Sequence, residues 1–192
     1  GPVKPAGLKP GDTIMFVAPA GELERDRMER AQKRLEEMGF RIIVPETLFR
    51  RRGYLAGTDR ERAEELMAAF KNPEVKAIFP GTGGYGTTRM LDLLDYEAIN
   101  ANPKILIGFS DITALHLALA ARTSCPTIHG PNAASAWGRL SWDSFRRLAF
   151  EAKVDGDVVR PLGALLKKLY DAFVAEEAML VEVNPLVVLN GS

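Results

Sequence analysis

A chain of 192 residues is long enough for one sizeable core, and its 25 basic and 25 acidic side chains cancel, so no field of one sign is available to attract nucleic acid or an anionic membrane. Hydrophobic residues at 46% and charged residues at 26% form a globular balance, and no apolar run reaches the roughly 18 residues of a membrane-spanning helix. The single cysteine, Cys125, excludes an internal disulfide and multi-cysteine metal sites and points to a reducing, cytoplasmic compartment.

In chain order, apolar stretches of strand length alternate with segments of helical period. Gly1 and Pro2 read as the remnant of a cleaved tag. Strands are predicted at Thr13 to Ala18, Arg41 to Pro45, Val75 to Phe79, Ile105 to Phe109 and Thr127 to His129. Helices are predicted from Glu24 to Met38, with Met28, Ala31, Leu35 and Met38 on one stripe, and from Asp59 to Phe70, with Ala63, Leu66, Met67 and Phe70. Thr87 or Thr88 is expected to cap a third helix running to Leu94, and Ser110 or Asp111 a fourth running to about Ala121. The expected fold class is α/β: a mainly parallel sheet with helices on both faces, a Rossmann-like three-layer sandwich, with the loops after the strands gathered at its carboxyl edge.

Four loops are distinctive there: APAGE after the first strand, PGTGGYGTT after the third, GFSDIT after the fourth and HGPN after the fifth. The longer RRRGYLAGTD, residues 50 to 59, can fold over the same edge. Gly81, Gly83, Gly84 and Gly86 let backbone amides approach a ligand, but their spacing is not that of a dinucleotide site and no phosphate-loop lysine follows. The glycines can instead serve an oxyanion, or form a turn with no ligand. Ser110 stands where strand gives way to helix, as a nucleophile elbow requires, although the sequence is not G-x-S-x-G; spacing alone also fits a helix cap.

The blocks LKPGDTIMFVAPAG, RGYLAGTDRERAEELMAAFKNPEVKAIFPGTGGYGTTRMLDLLDYEAI, NPKILIGFSDITALHLAL and TIHGPN resemble the amino-terminal domain of the serine LD-carboxypeptidases, from about residue 8 to 147. This family includes the muramoyltetrapeptide carboxypeptidases and the microcin C7 self-immunity peptidases. The resemblance implies Ser110 as nucleophile, with backbone N–H groups of Asp111 and of the glycine loop at Gly83 and Gly84 as the oxyanion hole. Thr82 stands where the family usually has an arginine, and Ala20 where it often has a serine. The family's glutamate and histidine bases come from a carboxy-terminal domain, for which too few residues remain after Arg147. His116 lies inside the helix after Ser110 and reads as packed or on the surface, which leaves His129, at the end of the fifth strand, as the substitute base within the chain, although the family does not use its HGP histidine so.

Residues 162 to 192 resemble instead a helix and strand from the ATP-grasp region of succinyl-CoA synthetase β subunits, where the asparagine of VNPL, Asn184 here, helps hold Mg²⁺. One asparagine cannot hold the ion alone, so no metal and no cofactor is assigned. The expected organisation is therefore a nucleophile domain over residues 1–150 and an appended helix-strand unit over 151–192, docked on the same sheet. Two functional readings follow. The chain is the nucleophile half of a serine LD-carboxypeptidase, acting on a peptide substrate and inactive alone, with no nucleic-acid or membrane partner and a homodimer left open. Otherwise it is an engineered or recombined chimeric scaffold without enzymatic function.

Overall fold

The computed structural model describes residues 7–125 and 127–135. Five strands, β1 (Thr13–Val17), β2 (Arg41–Ile43), β3 (Val75–Pro80), β4 (Ile105–Gly108) and β5 (Ile128–His129), form one sheet in the order β2-β1-β3-β4-β5. Every pairing is parallel. All five residues of β1 are buried, as expected of a parallel strand covered on both faces, where an apolar run replaces strict alternation.

Four α-helices connect the strands: α1 (Arg25–Glu37), α2 (Asp59–Lys71), α3 (Tyr96–Ala101) and α4 (Thr113–Arg122). Met15, Val17, Ile78 and Leu106 pack under Leu66 and Phe70 of α2, Ile99 of α3 and Leu115 and Leu119 of α4. Ile14, Phe16, Phe79 and Ile107 meet Met28, Ala31 and Leu35 of α1 on the opposite face. Alternate residues of one strand thus feed two cores, and the expected three-layer arrangement is present.

Three local expectations need correction. The segment after the glycine loop is a 3₁₀ helix, Thr87–Leu93, whose cap is Gly86 in the left-handed region at φ 119°, with no side-chain cap from Thr87 or Thr88. Neither Ser110 nor Asp111 caps the helix after β4: a 3₁₀ turn over Ser110–Ile112 leads directly into α4, without a side-chain cap. The short α3 was not expected; Asp95 caps it by accepting from the Ala98 N–H at 3.0 Å. The predicted helix and strand over 162–192, Asn184 and the whole appended unit lie outside the described residues.

The start of α2 is fixed by a capping box: the Thr58 hydroxyl accepts from the Glu61 N–H at 3.1 Å, and the Glu61 carboxylate accepts from the Thr58 N–H at 2.8 Å. Thr58→Ala is expected to cost about 1 kcal/mol in urea denaturation. An unchanged midpoint would show that tertiary packing alone sets this terminus. Among the described residues, no helix is long and apolar enough to cross a membrane.

Candidate active site

After β1 the chain moves to β2 on one side and then returns to place β3 on the other. The order therefore reverses between β1 and β3, a switch point of the kind at whose carboxyl edge open α/β sheets bind ligands. Two of the distinctive loops leave the sheet at this point and touch, where the Gly21 N–H donates to the Gly83 carbonyl at 3.0 Å. The loop over residues 50 to 59 folds over the same edge as expected: Leu55 bridges Gly21, and the Ala56 N–H donates to the Ala20 carbonyl at 3.0 Å.

Ser110 occupies the turn between β4 and α4 and has φ 62°, the one positive φ outside glycine among the described residues. An L-residue in this region costs on the order of 1–2 kcal/mol, which the surrounding packing must offset. The gain is placement, because the sharp turn holds the exposed hydroxyl above the sheet edge. Asn132, from the HGPN loop, steadies the preceding residue: its buried side-chain amide accepts from the Phe109 N–H at 3.1 Å and donates to the Phe109 carbonyl at 3.4 Å. The side chain thus continues the strand ladder where β5 ends.

The glycine loop lies directly against this turn. A Cβ on Gly83 would stand 3.0 Å from Ser110 Cβ, 3.1 Å from Ser110 Oγ and 3.2 Å from the Asp111 amide nitrogen. A side chain there would force the serine turn to give by a few tenths of an ångström. Gly84 follows at φ 104° against Gly21. Among the described residues the Gly83 and Gly84 N–H groups donate to no acceptor. The structure therefore brings Gly83, with Gly84 next to it in the chain, against Ser110 and Asp111, from two loops 26 residues or more apart in sequence.

The histidines are arranged differently. His129 is paired with Gly108 in the β4–β5 register, and its exposed ring packs edge-on to Phe109 with centroids 6.5 Å apart. It makes no hydrogen bond to Ser110 among the described residues. His116 is packed, not on the surface: Nε2 donates to the Gly108 carbonyl at 2.7 Å, so Nδ1 is left to accept from the Thr127 hydroxyl at 2.6 Å. Burial lowers its pKa to about 4, despite the opposing pull of the Gly108 carbonyl, so it stays neutral at physiological pH. Cys125 is buried too, and burial pushes its thiol upward, away from reactivity.

Two charged residues of α2 escaped the sequence reading. Arg62 is buried and donates to three loops at once: to the Pro19 carbonyl at 2.6 Å, the Gly86 carbonyl at 2.8 Å and the Gly57 carbonyl at 3.3 Å, while pairing with Asp59. Buried Glu65 accepts from the Ala18 N–H at 2.6 Å and from the Thr47 hydroxyl, and its desolvation raises its pKa. One helix thereby grips the loop after β1 by both a carbonyl and an amide. Among the described residues no cluster of three His, Cys, Asp or Glu is placed to hold a metal.

Fold and site together define a parallel α/β domain with a strained serine turn at its carboxyl edge, facing a glycine loop. The chain belongs to the LD-carboxypeptidase N-terminal domain family, whose model matches residues 14–130. A carboxypeptidase-family protein of Streptomyces coelicolor is 46% identical over 136 residues, spanning 69% of this chain and 44% of that protein. The murein tetrapeptide carboxypeptidase of Pseudomonas aeruginosa is 38% identical over 119 residues, 62% of this chain and 38% of its own length. A solved structure of the microcin C7 self-immunity protein MccF in complex with aspartyl sulfamoyl adenosine superposes with a TM-score of 0.74 at 31% identity, over 80% of this chain and 48% of that one. The chain thus spans less than half the length of these relatives. The likeness of residues 162–192 to an ATP-grasp fragment, and with it a chimeric origin, has no support in these comparisons.

Proposed function

We propose that this chain is the nucleophile-bearing domain of a serine LD-carboxypeptidase acting on peptidoglycan peptides. The observation that carries the reading is the left-handed backbone of Ser110 with Gly83 held against its Oγ. Ser110 Oγ attacks the carbonyl carbon of the bond before the terminal residue. The oxyanion that forms is held by the N–H groups of Asp111 and Gly84, beside Gly83, where each positioned donor contributes about 3–4 kcal/mol to the transition state. The amine leaves with a proton, and water then releases the acyl group from the serine. The name of the Pseudomonas aeruginosa relative supports murein tetrapeptides as the substrate class.

A serine hydroxyl needs a base. Ser110 Oγ has no partner among the described residues, which supports a base supplied by the stretch of the relatives that this chain does not span. In this reading the family's glutamate and histidine act there, and the chain alone gives no useful turnover. A site lacking its triad partners retains about 10³–10⁴ over water, far below a working peptidase.

The test is labelling by a serine-directed fluorophosphonate followed by mass spectrometry, with and without urea. Adduct on Ser110 in the folded chain only is expected, and adduct elsewhere, or equal adduct after unfolding, refutes the elbow. Release of D-alanine from a muropeptide is expected to stay at background. Strong release abolished in both Ser110→Ala and His129→Ala would instead make His129 the base.

A further inference from the structure

The Gly86–Thr87 peptide is held at both ends by buried charges. Its carbonyl accepts from Arg62 Nη1 at 2.8 Å, and its N–H donates to Asp111 Oδ2 at 2.8 Å. The cation thus faces the negative end of the peptide dipole and the anion the positive end, which makes both hydrogen bonds charge-assisted. Gly86 itself has φ 119°, and a Cβ there would lie 2.5 Å from Leu55 Cδ2, so the peptide has this orientation only because the residue is glycine. At its other end the loop is tied by the Gly83 carbonyl to the Gly21 N–H at 3.0 Å. Between these ties lies the Gly84 amide, which stays unused among the described residues.

We infer that Asp111 and Arg62 are positioning residues that clamp the Gly86–Thr87 peptide and so lock the glycine loop in register with the serine turn. Asp111 then serves twice: its backbone nitrogen lies beside Gly83, and its carboxylate holds the far end of the same loop. Without the clamp, two oxyanion donors on separate loops would each have to be ordered as charge develops; with it they form one preorganised unit. Arg62 extends the lock to the loops at Pro19 and Gly57. The inference rests on the reading of Ser110 as nucleophile, and it is tested so that the two can fail separately.

Two measurements on the 192-residue chain decide it: fluorophosphonate labelling resolved into a maximal rate and a half-saturating concentration, and hydrogen exchange of the Thr87 amide. Asp111→Ala is expected to lower the maximal rate about tenfold, leave half-saturation within about twofold, and speed Thr87 exchange at least about tenfold, since a lost hydrogen bond to a charged group is worth a tenfold change or more. Asp111→Asn keeps an acceptor for the Thr87 N–H and is expected to restore most of both, which a general loss of stability would not do. Unchanged exchange and labelling in Asp111→Ala overturn the clamp. If that variant unfolds, as seen by exchange at Ile78 and Phe79, Asp111→Asn decides: Thr87 protection supports the clamp and its loss overturns it. Failure of the unaltered chain to label at all refutes the nucleophile reading and leaves the clamp to be judged on Thr87 exchange.

Discussion

Gly83→Ala is expected to slow fluorophosphonate labelling of Ser110 about 100-fold, the scale of losing one oxyanion donor, while the chain keeps its fold. The new methyl would stand 3.0 Å from Ser110 Cβ and 3.2 Å from the Asp111 nitrogen. Neither neighbour can swing away, because one is the root of a short side chain and the other is backbone. The turn must shift by a few tenths of an ångström, or the methyl covers the space in front of the Asp111 N–H. The stability cost is expected to stay near 1–2 kcal/mol, as for overpacking by one carbon, because the contact lies at the sheet edge and Gly83 is not among the positive-φ glycines. Gly84→Ala makes the contrast. Its Cβ would meet only Gly21 atoms, at 3.7 and 3.8 Å, but at φ 104° an alanine is strained. It is expected to destabilise the loop and to leave Ser110 physically accessible. Equal labelling rates for Gly83→Ala and the unaltered chain, each measured by adduct mass against time, would show that the loop does not serve Ser110.

The parts of this site that could be read from the sequence are those set by local pattern. β1 and β3 announce themselves as apolar runs because both their faces are buried, and the break at Gly108 before Ser110 marks where a strand must turn. β2 ends at Ile43, two residues short of the expected Pro45, and α3 was missed because six residues are too few for a periodic signal. Arg62 and Glu65 were hidden for a different reason. A charge on a helix reads as solvated, and only the tertiary fold lays the carbonyls of Pro19, Gly57 and Gly86 around one guanidinium. A signal existed in the spacing, since Arg62, Glu65 and Ala69 recur at helical period beside the stripe of Ala63, Leu66 and Phe70, and all six are buried. Three glycine-bearing loops also need donors for carbonyls that no strand pairs. The positive φ of Ser110 had no such signal, because serine is not a residue that predicts it.

Acidification from pH 6.5 to 4 is expected to remove about 3 kcal/mol of stability through His116 alone. Its pKa falls from 6.5 to about 4 on folding because burial penalises the imidazolium, with neighbouring His129 adding a smaller push the same way. The sign follows from proton counts. Below pH 6.5 the unfolded chain binds a proton at this histidine that the folded chain refuses until pH 4, so the stabilisation is whole above 6.5 and is lost as the pH falls through that window. Glu65 works in the opposite direction: its pKa is raised by burial, so its contribution is present below the ordinary carboxylate range and lost as the pH rises. The total slope therefore mixes the two, and the informative quantity is a difference between proteins. His116→Gln keeps an amide donor for the Gly108 carbonyl and cannot titrate. Urea denaturation at pH 7, 5.5 and 4 is expected to show the gap between the unaltered chain and His116→Gln shift by about 3 kcal/mol in favour of the variant as the pH falls. A gap independent of pH would mean that His116 is protonated as readily in the fold as outside it, so that below pH 6.5 the bond at Gly108, two residues before the serine, is made by an imidazolium.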